Sequence, residues 1–148
     1  MDPLTALSVA ASVVQFVDYG TELLSKGREL YKSANGALSE NIELEEASGR
    51  LKLLSSDLQT SLHGGGQGPV NERDQALETI CNGCIEVSED LTARLKKLML
   101  QSDQKHRVWE SFKLTLKTVL SKEKIEETAL KLAKLRSELD THVILSIR

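Results

Sequence analysis

Cys81 and Cys84 stand three residues apart, a spacing that in a helix puts both thiols on one face alongside Leu77, Leu91 and Leu95. Two thiols supply half of a tetrahedral zinc site, and His63, His106 and His142 show no paired spacing that would complete it. The expectation is a pair of buried structural thiols, with no metal ligand and no redox centre. His63-Gly64-Gly65-Gly66 has the form of an esterase oxyanion loop, but no Gly-x-Ser-x-Gly nucleophile elbow accompanies it. The same glycines are followed by no Gly-Lys-Ser/Thr, so they do not make a phosphate loop either. Glu45-Glu46 and Glu126-Glu127 are adjacent on helices, where neighbouring side chains diverge, and they read as solvated faces rather than general acid–base pairs. Trp109 and Phe112, three apart, read as core anchors. No catalytic residue and no cofactor is expected, and the chain reads as non-enzymatic.

The elements that carry these residues are helical. Two prolines, five aromatic residues and abundant Leu, Lys, Glu, Ala and Ser make a helix-former's composition over 148 residues, enough for one domain with a proper core. Asp2-Pro3 reads as an N-cap and a first-turn proline. The first helix carries Leu4, Leu7, Ala11, Val14 and Val17 at spacings of three and four, and its other face, with Val9, Val13 and Phe16, is also apolar. Gly20 is expected to bend it, and Asn35-Gly36 to end its continuation through Leu23, Leu24, Leu30 and Tyr31.

A second helix, from Ser39 or Asn41, has Glu40, Glu43, Glu45 and Glu46 in its first turns, where the helix dipole favours them. Its seam is Leu44, Ala47, Leu51, Leu54, Leu58 and Leu62. Gly64 to Pro69 is the one clear breaker, read as a loop inside the bundle. A long helix from about Val70 to Gln101 turns Leu77, Ile80, Cys84, Val87, Leu91, Leu95 and Leu98 inward. A shorter helix over 107–121 and a final one from about Lys122, with Ile125, Leu132, Leu135, Leu139 and Val143 on one face, complete the pattern. The fold class is all-α: an antiparallel bundle of five to six helices with a hydrophobic N-terminal helix, in a single domain over 1–148. The Leu seams at 51, 54 and 58 and at 132, 135 and 139 are expected to build its core.

Charge is distributed unevenly. Residues 1–93 carry a net −9 and residues 94–148 a net +6, for −3 overall. Adjacent helices of opposite sign would attract one another within the bundle. The alternative is a basic face for anionic lipid headgroups, drawn from Lys113, Lys117, Lys131, Lys134 and Arg136. Nucleic acid is not an expected partner, because no aromatic platform is interleaved with the basic residues. With no disulfide framework in view, a reducing cytosol fits the two cysteines.

Residues 3–17 carry no charge at all. As a helix they would be about 22 Å long at ~1.5 Å per residue. A hydrocarbon core is about 30 Å thick, so the segment is too short and too polar for an ordinary span. It is also a poor signal peptide, since no basic residue precedes it. A helix apolar all round belongs either in the middle of a bundle or against lipid.

Two blocks carry a family resemblance. The opening Met1-Asp2-Pro3-Leu4-Thr5-Ala6-Leu7-Ser8-Val9-Ala10-Ala11-Ser12-Val13-Val14-Gln15-Phe16-Val17-Asp18-Tyr19-Gly20, with Glu29-Leu30-Tyr31-Lys32-Ser33-Ala34-Asn35-Gly36 after it, resembles the start of many fungal immune-receptor-like proteins. The stretch Trp109-Glu110-Ser111-Phe112-Lys113-Leu114-Thr115-Leu116-Lys117 onward to Leu145-Ser146-Ile147-Arg148 resembles the end of the same domain, the HeLo-like N-terminal module of fungal STAND (NOD-like receptor) proteins. The resemblance covers nearly the whole chain and is weakest in the glycine loop.

The resemblance implies a helical bundle akin to that of the necroptosis pseudokinase, and a role in executing cell death. It implies nucleotide-binding and repeat regions C-terminal to this module in a full-length receptor, whose oligomerisation sends the first helix from the cytoplasm to the plasma membrane. The expected partners are then further copies of the chain, anionic membrane lipids and those receptor regions. The expected membrane-insertion residues are Leu4, Leu7, Val9, Val13, Val14, Phe16 and Val17. A homotypic adaptor that recruits another protein and never touches lipid is the alternative. A lipid-active domain needs the apolar surface of its first helix exposable, whereas an adaptor needs it locked in the core.

Overall fold

The structure is a computed structural model that describes residues 3–32, 44–63, 72–101 and 109–147, with the side chains at 72–73, 101, 109–111 and 144–147 excepted. Five helices make up these residues: α1 (Pro3–Lys32), α2 (Leu44–His63), α3 (Glu72–Gln101), α4 (Trp109–Val119) and α5 (Lys122–Ile147). No strand occurs among the described residues, and the fold is an all-α helical bundle. The expected helix start at Ser39 or Asn41, the Asn35-Gly36 cap, the Gly64–Pro69 loop and the Trp109 side chain lie outside the described residues.

Paired contacts fix the directions of the helices. Ser88 Oγ donates to the Leu51 carbonyl oxygen at 3.1 Å and the Cys81 thiol to that of Leu58 at 3.6 Å, so α2 and α3 run antiparallel. Asp18 meets Arg136 and Arg28 meets Glu126, so α1 and α5 do the same. Ser8 and Ser12 reach Ser61, while Arg50 lies over the Tyr19 ring, which makes α1 antiparallel to α2 as well. α1 therefore lies among α2, α3 and α5, and α4 packs on α3.

The two Leu seams are core, as their spacing predicts. Leu51, Leu54, Leu58, Leu132 and Leu139 are buried, and Leu135 is half-buried against Gly83. Every inward residue expected on α3 is buried, from Leu77 through Leu98. The α4–α5 corner is built by polar groups. Ser121 accepts a hydrogen bond from the Lys124 backbone N–H at 3.1 Å and so caps α5. The Tyr31 hydroxyl donates to the Leu116 and Leu120 carbonyls, and Arg94 donates to that of Val119, so side chains of α1 and α3 bond carbonyls around the end of α4.

Gly20 does not interrupt the first helix: α1 continues unbroken from Pro3 to Lys32, about 45 Å at ~1.5 Å per residue. Gly20 is buried, and a Cβ there would stand 2.9 Å from Leu132 Cδ1. Gly27, two turns later, meets Ile125 Cδ1 at 3.1 Å in the same way. These glycines let α5 side chains approach the α1 backbone.

Candidate functional site

α1 has two apolar faces with different fates. Val9, Val13, Phe16, Val17, Gly20 and Leu24 point into the core and are buried. Rotated by about half a turn at ~100° per residue, Leu4, Leu7, Ala11 and Val14 line the opposite side. Leu4 is 79% exposed and Leu7 67%, Ala11 is exposed and Val14 is half-buried. Of the seven expected insertion residues, Val9, Val13, Phe16 and Val17 thus hold the bundle together, while Leu4, Leu7 and Val14 form an outward stripe.

The stripe is continued by α5. Leu7, Ala10, Ala11, Val14, Leu139 and Val143 line an open groove of about 560 Å³, with Asp140 at its edge. Val143 was expected on the inner face of α5 and is 38% exposed at this groove. Other exposed leucines, among them Leu53, Leu100, Leu114 and Leu130, do not line this groove. A contiguous exposed apolar surface on a helix that also anchors the core is the kind of patch that marks an interaction site. Beside it, Ser61 of α2 bonds both Ser8 and Ser12 at 3.1 Å, fastening the first half of α1 through hydroxyl groups. The second half is fastened by charge, with Arg28 bidentate on Glu126 at 2.6 and 3.1 Å.

The expected headgroup residues are dispersed. Lys131 pairs with Glu127 at 3.5 Å, Lys134 with Glu138 at 3.9 Å, and Arg136 with Asp140 at 3.3 Å and Asp18 at 3.4 Å. Most of these pairs are one turn apart on α5, so its positive charge is largely answered on its own surface. Lys113 and Lys117 sit on α4, with no carboxylate in ion-pairing range among the described residues. Lys124, not singled out by spacing, pairs with both Asp90 and Glu127. Its signal lies in three dimensions, because Asp90 is on α3.

The two thiols are enclosed in the core. Cys81 and Cys84 are fully buried and free, and burial pushes them up to about 11 and about 12, with Glu78 adding to the first and Cys81 to the second. Burial thus favours the protonated thiol at both positions. No cluster of three or more His, Cys, Asp or Glu poised for a metal occurs among the described residues, and no described helix is long and apolar enough to cross a membrane. Comparison with family models, with curated proteins and with solved structures gave no match.

Proposed function

We propose that this chain is a non-enzymatic cell-death effector and signalling domain of a fungal NOD-like receptor, HeLo-like in type, which targets and permeabilises membranes through α1 when several copies assemble. The observation that carries this reading is the exposed stripe of Leu4, Leu7, Ala11 and Val14 on a helix whose opposite face is core. In this reading the stripe makes the first contact with lipid, and Val9, Val13, Phe16 and Val17 add apolar surface once α1 leaves the bundle. Anionic lipids, further copies of the chain and the receptor's nucleotide-binding and repeat regions are its partners. Lys113 and Lys117 are the expected headgroup lysines that the fold leaves without a partner carboxylate among the described residues.

The test is dye release from anionic vesicles by the chain and by Leu4→Gln/Leu7→Gln, two exposed positions whose change spares the core. The wild type should release dye and the variant should not; a folded variant that leaks vesicles as well as the wild type overturns the reading. The alternative, a homotypic helical adaptor, is favoured by one observation: the stripe follows i, i+3, i+7, i+10, the seam a partner helix reads. In that case the variant loses self-association in solution while neither protein leaks vesicles.

A further inference from the structure

Side chains on a helix lean toward that helix's own N-terminus. With Leu51 set opposite Ser88 and Leu58 opposite Cys81, this tilt brings Lys52 of α2 and Lys96 of α3 toward each other from opposite ends of the same stretch. Both lysines line one groove, and Lys52 is held below the usual lysine value by the neighbouring Lys96 ammonium. Among the described residues neither lysine has an ion-pair partner, whereas Lys124, Lys131, Lys134 and Arg136 all do. The pair stands over a groove of about 410 Å³ between α2 and α3, walled by Ser55, Gln59 and Thr92. Glu89 also lines this groove and makes no ion pair with either lysine among the described residues.

Two like charges set face to face across a polar groove are stabilised by an anion between them. We infer that the α2–α3 groove is a binding site for a phosphomonoester, held by the Lys52 and Lys96 ammonium groups with hydroxyl and amide groups of Ser55, Gln59 and Thr92 around it. A phosphomonoester carries about −1.5 to −2 charge and three terminal oxygens at neutral pH, which matches two ammonium groups with three donors each. A carboxylate, with one charge, would answer only one of them. Both a lipid headgroup and a soluble ester can bear such a phosphate, and the experiment separates them. The inference is independent of the α1 reading, and either can fail without the other.

The experiment has two arms, each run on the whole chain and on Lys52→Met/Lys96→Met. In the first, inorganic phosphate is titrated at constant ionic strength while melting temperature and amide chemical shifts are followed. The wild type should be stabilised, with shifts centred on Lys52, Ser55, Thr92 and Lys96. The variant should melt no lower than the wild type without phosphate, because it has lost a repulsion, and should bind phosphate at least about tenfold more weakly. Lys96→Arg, which keeps the charge, should retain the response. In the second arm, phosphatidylcholine vesicles carry either phosphatidic acid or an equal charge of phosphatidylserine. Preference for phosphatidic acid, lost in the variant, assigns a lipid headgroup; a response to inorganic phosphate without that preference assigns a soluble ester. Absence of both responses, or responses that the double variant retains, overturns the site.

Discussion

Leu132 of α5 lies against the bare backbone of Gly20, its Cδ1 2.9 Å from where a Cβ would stand. Leu132 is itself fully buried and has nowhere to retreat. A glycine inside a helix costs about 1 kcal/mol relative to alanine, so Gly20→Ala sets that gain against a crowded contact and should be close to neutral. Gly20→Leu cannot be accommodated and should cost about 3 kcal/mol or more. Gly49 supplies the control, since it is exposed on α2 and a Cβ there meets nothing within 4 Å. Gly49→Ala should therefore stabilise the chain by about 1 kcal/mol. Urea unfolding of the three variants would check the signs.

The same pair shows what was legible in the sequence. The seams of α2 and α3 were, because Leu51, Leu58, Leu77, Leu91 and Leu98 alternate with charged residues and only one face can be buried. The orientation of α1 was harder, since Val9, Val13 and Phe16 on one side and Leu4, Leu7 and Val14 on the other are equally apolar. The clue is Val13, Gly20 and Gly27 at intervals of seven, which places the glycines on the core face. On α5, Lys131, Lys134 and Arg136 are spaced one turn from Glu127, Glu138 and Asp140, so their neutralisation could be anticipated. The Asp18–Arg136 pair and the meeting of Lys52 with Lys96 depend on helix register, which composition and periodicity do not carry.

Asp90 ties α3 to α5, accepting from Arg94 of its own helix at 3.1 Å and from Lys124 of α5 at 3.4 Å. Burial pushes its carboxyl up, but the hydrogen bond and charge of Arg94 together with Lys124 outweigh that and hold it below the usual carboxylate value. A depressed value in the folded state contributes stability above the unfolded-state pKa, about 3.9, which is lost as pH falls through the folded value. Asp90→Asn should therefore lower the melting temperature at neutral pH, and the difference from wild type should close in strong acid. Thermal melts over an acid pH series would show whether the gap narrows.

Cys81 and Cys84 act at the other end of the pH scale. Their folded values, raised by burial to about 11 and about 12 from an ordinary 9.0, favour the neutral thiol in the bundle. The sign is opposite to that of Asp90: the contribution is complete below pH 9 and is lost as pH rises toward the folded values. The chain should destabilise between about pH 9 and 12, and Cys81→Ala/Cys84→Ala should flatten that alkaline limb while losing packing. A thiol reagent at neutral pH should label both positions only at the rate of opening, so that labelling accelerates with urea in step with unfolding. Rapid labelling of the native chain would contradict the burial of these thiols.

Val13 and Leu7 are both apolar residues of the uncharged opening segment, and a charge placed at each should have different consequences. Val13 is fully buried between α1 and its neighbours, so Val13→Asp leaves an unpaired carboxylate in the core. That should cost about 3–5 kcal/mol, a large share of the ~5–15 kcal/mol that holds a domain together. Loss of cell killing by Val13→Asp on expression in yeast would therefore report unfolding as readily as loss of membrane activity. Leu4→Glu and Leu7→Glu alter exposed positions and should each change stability by no more than about 0.5 kcal/mol. At a bilayer, the same charges would cost up to about 3 kcal/mol each, depending on depth. Thermal melting should thus place Leu4→Glu/Leu7→Glu beside the wild type and Val13→Asp far below it. Killing in yeast and vesicle leakage should be lost in both. A Leu4→Glu/Leu7→Glu protein that melts with the wild type and still kills would remove the outward stripe from the mechanism.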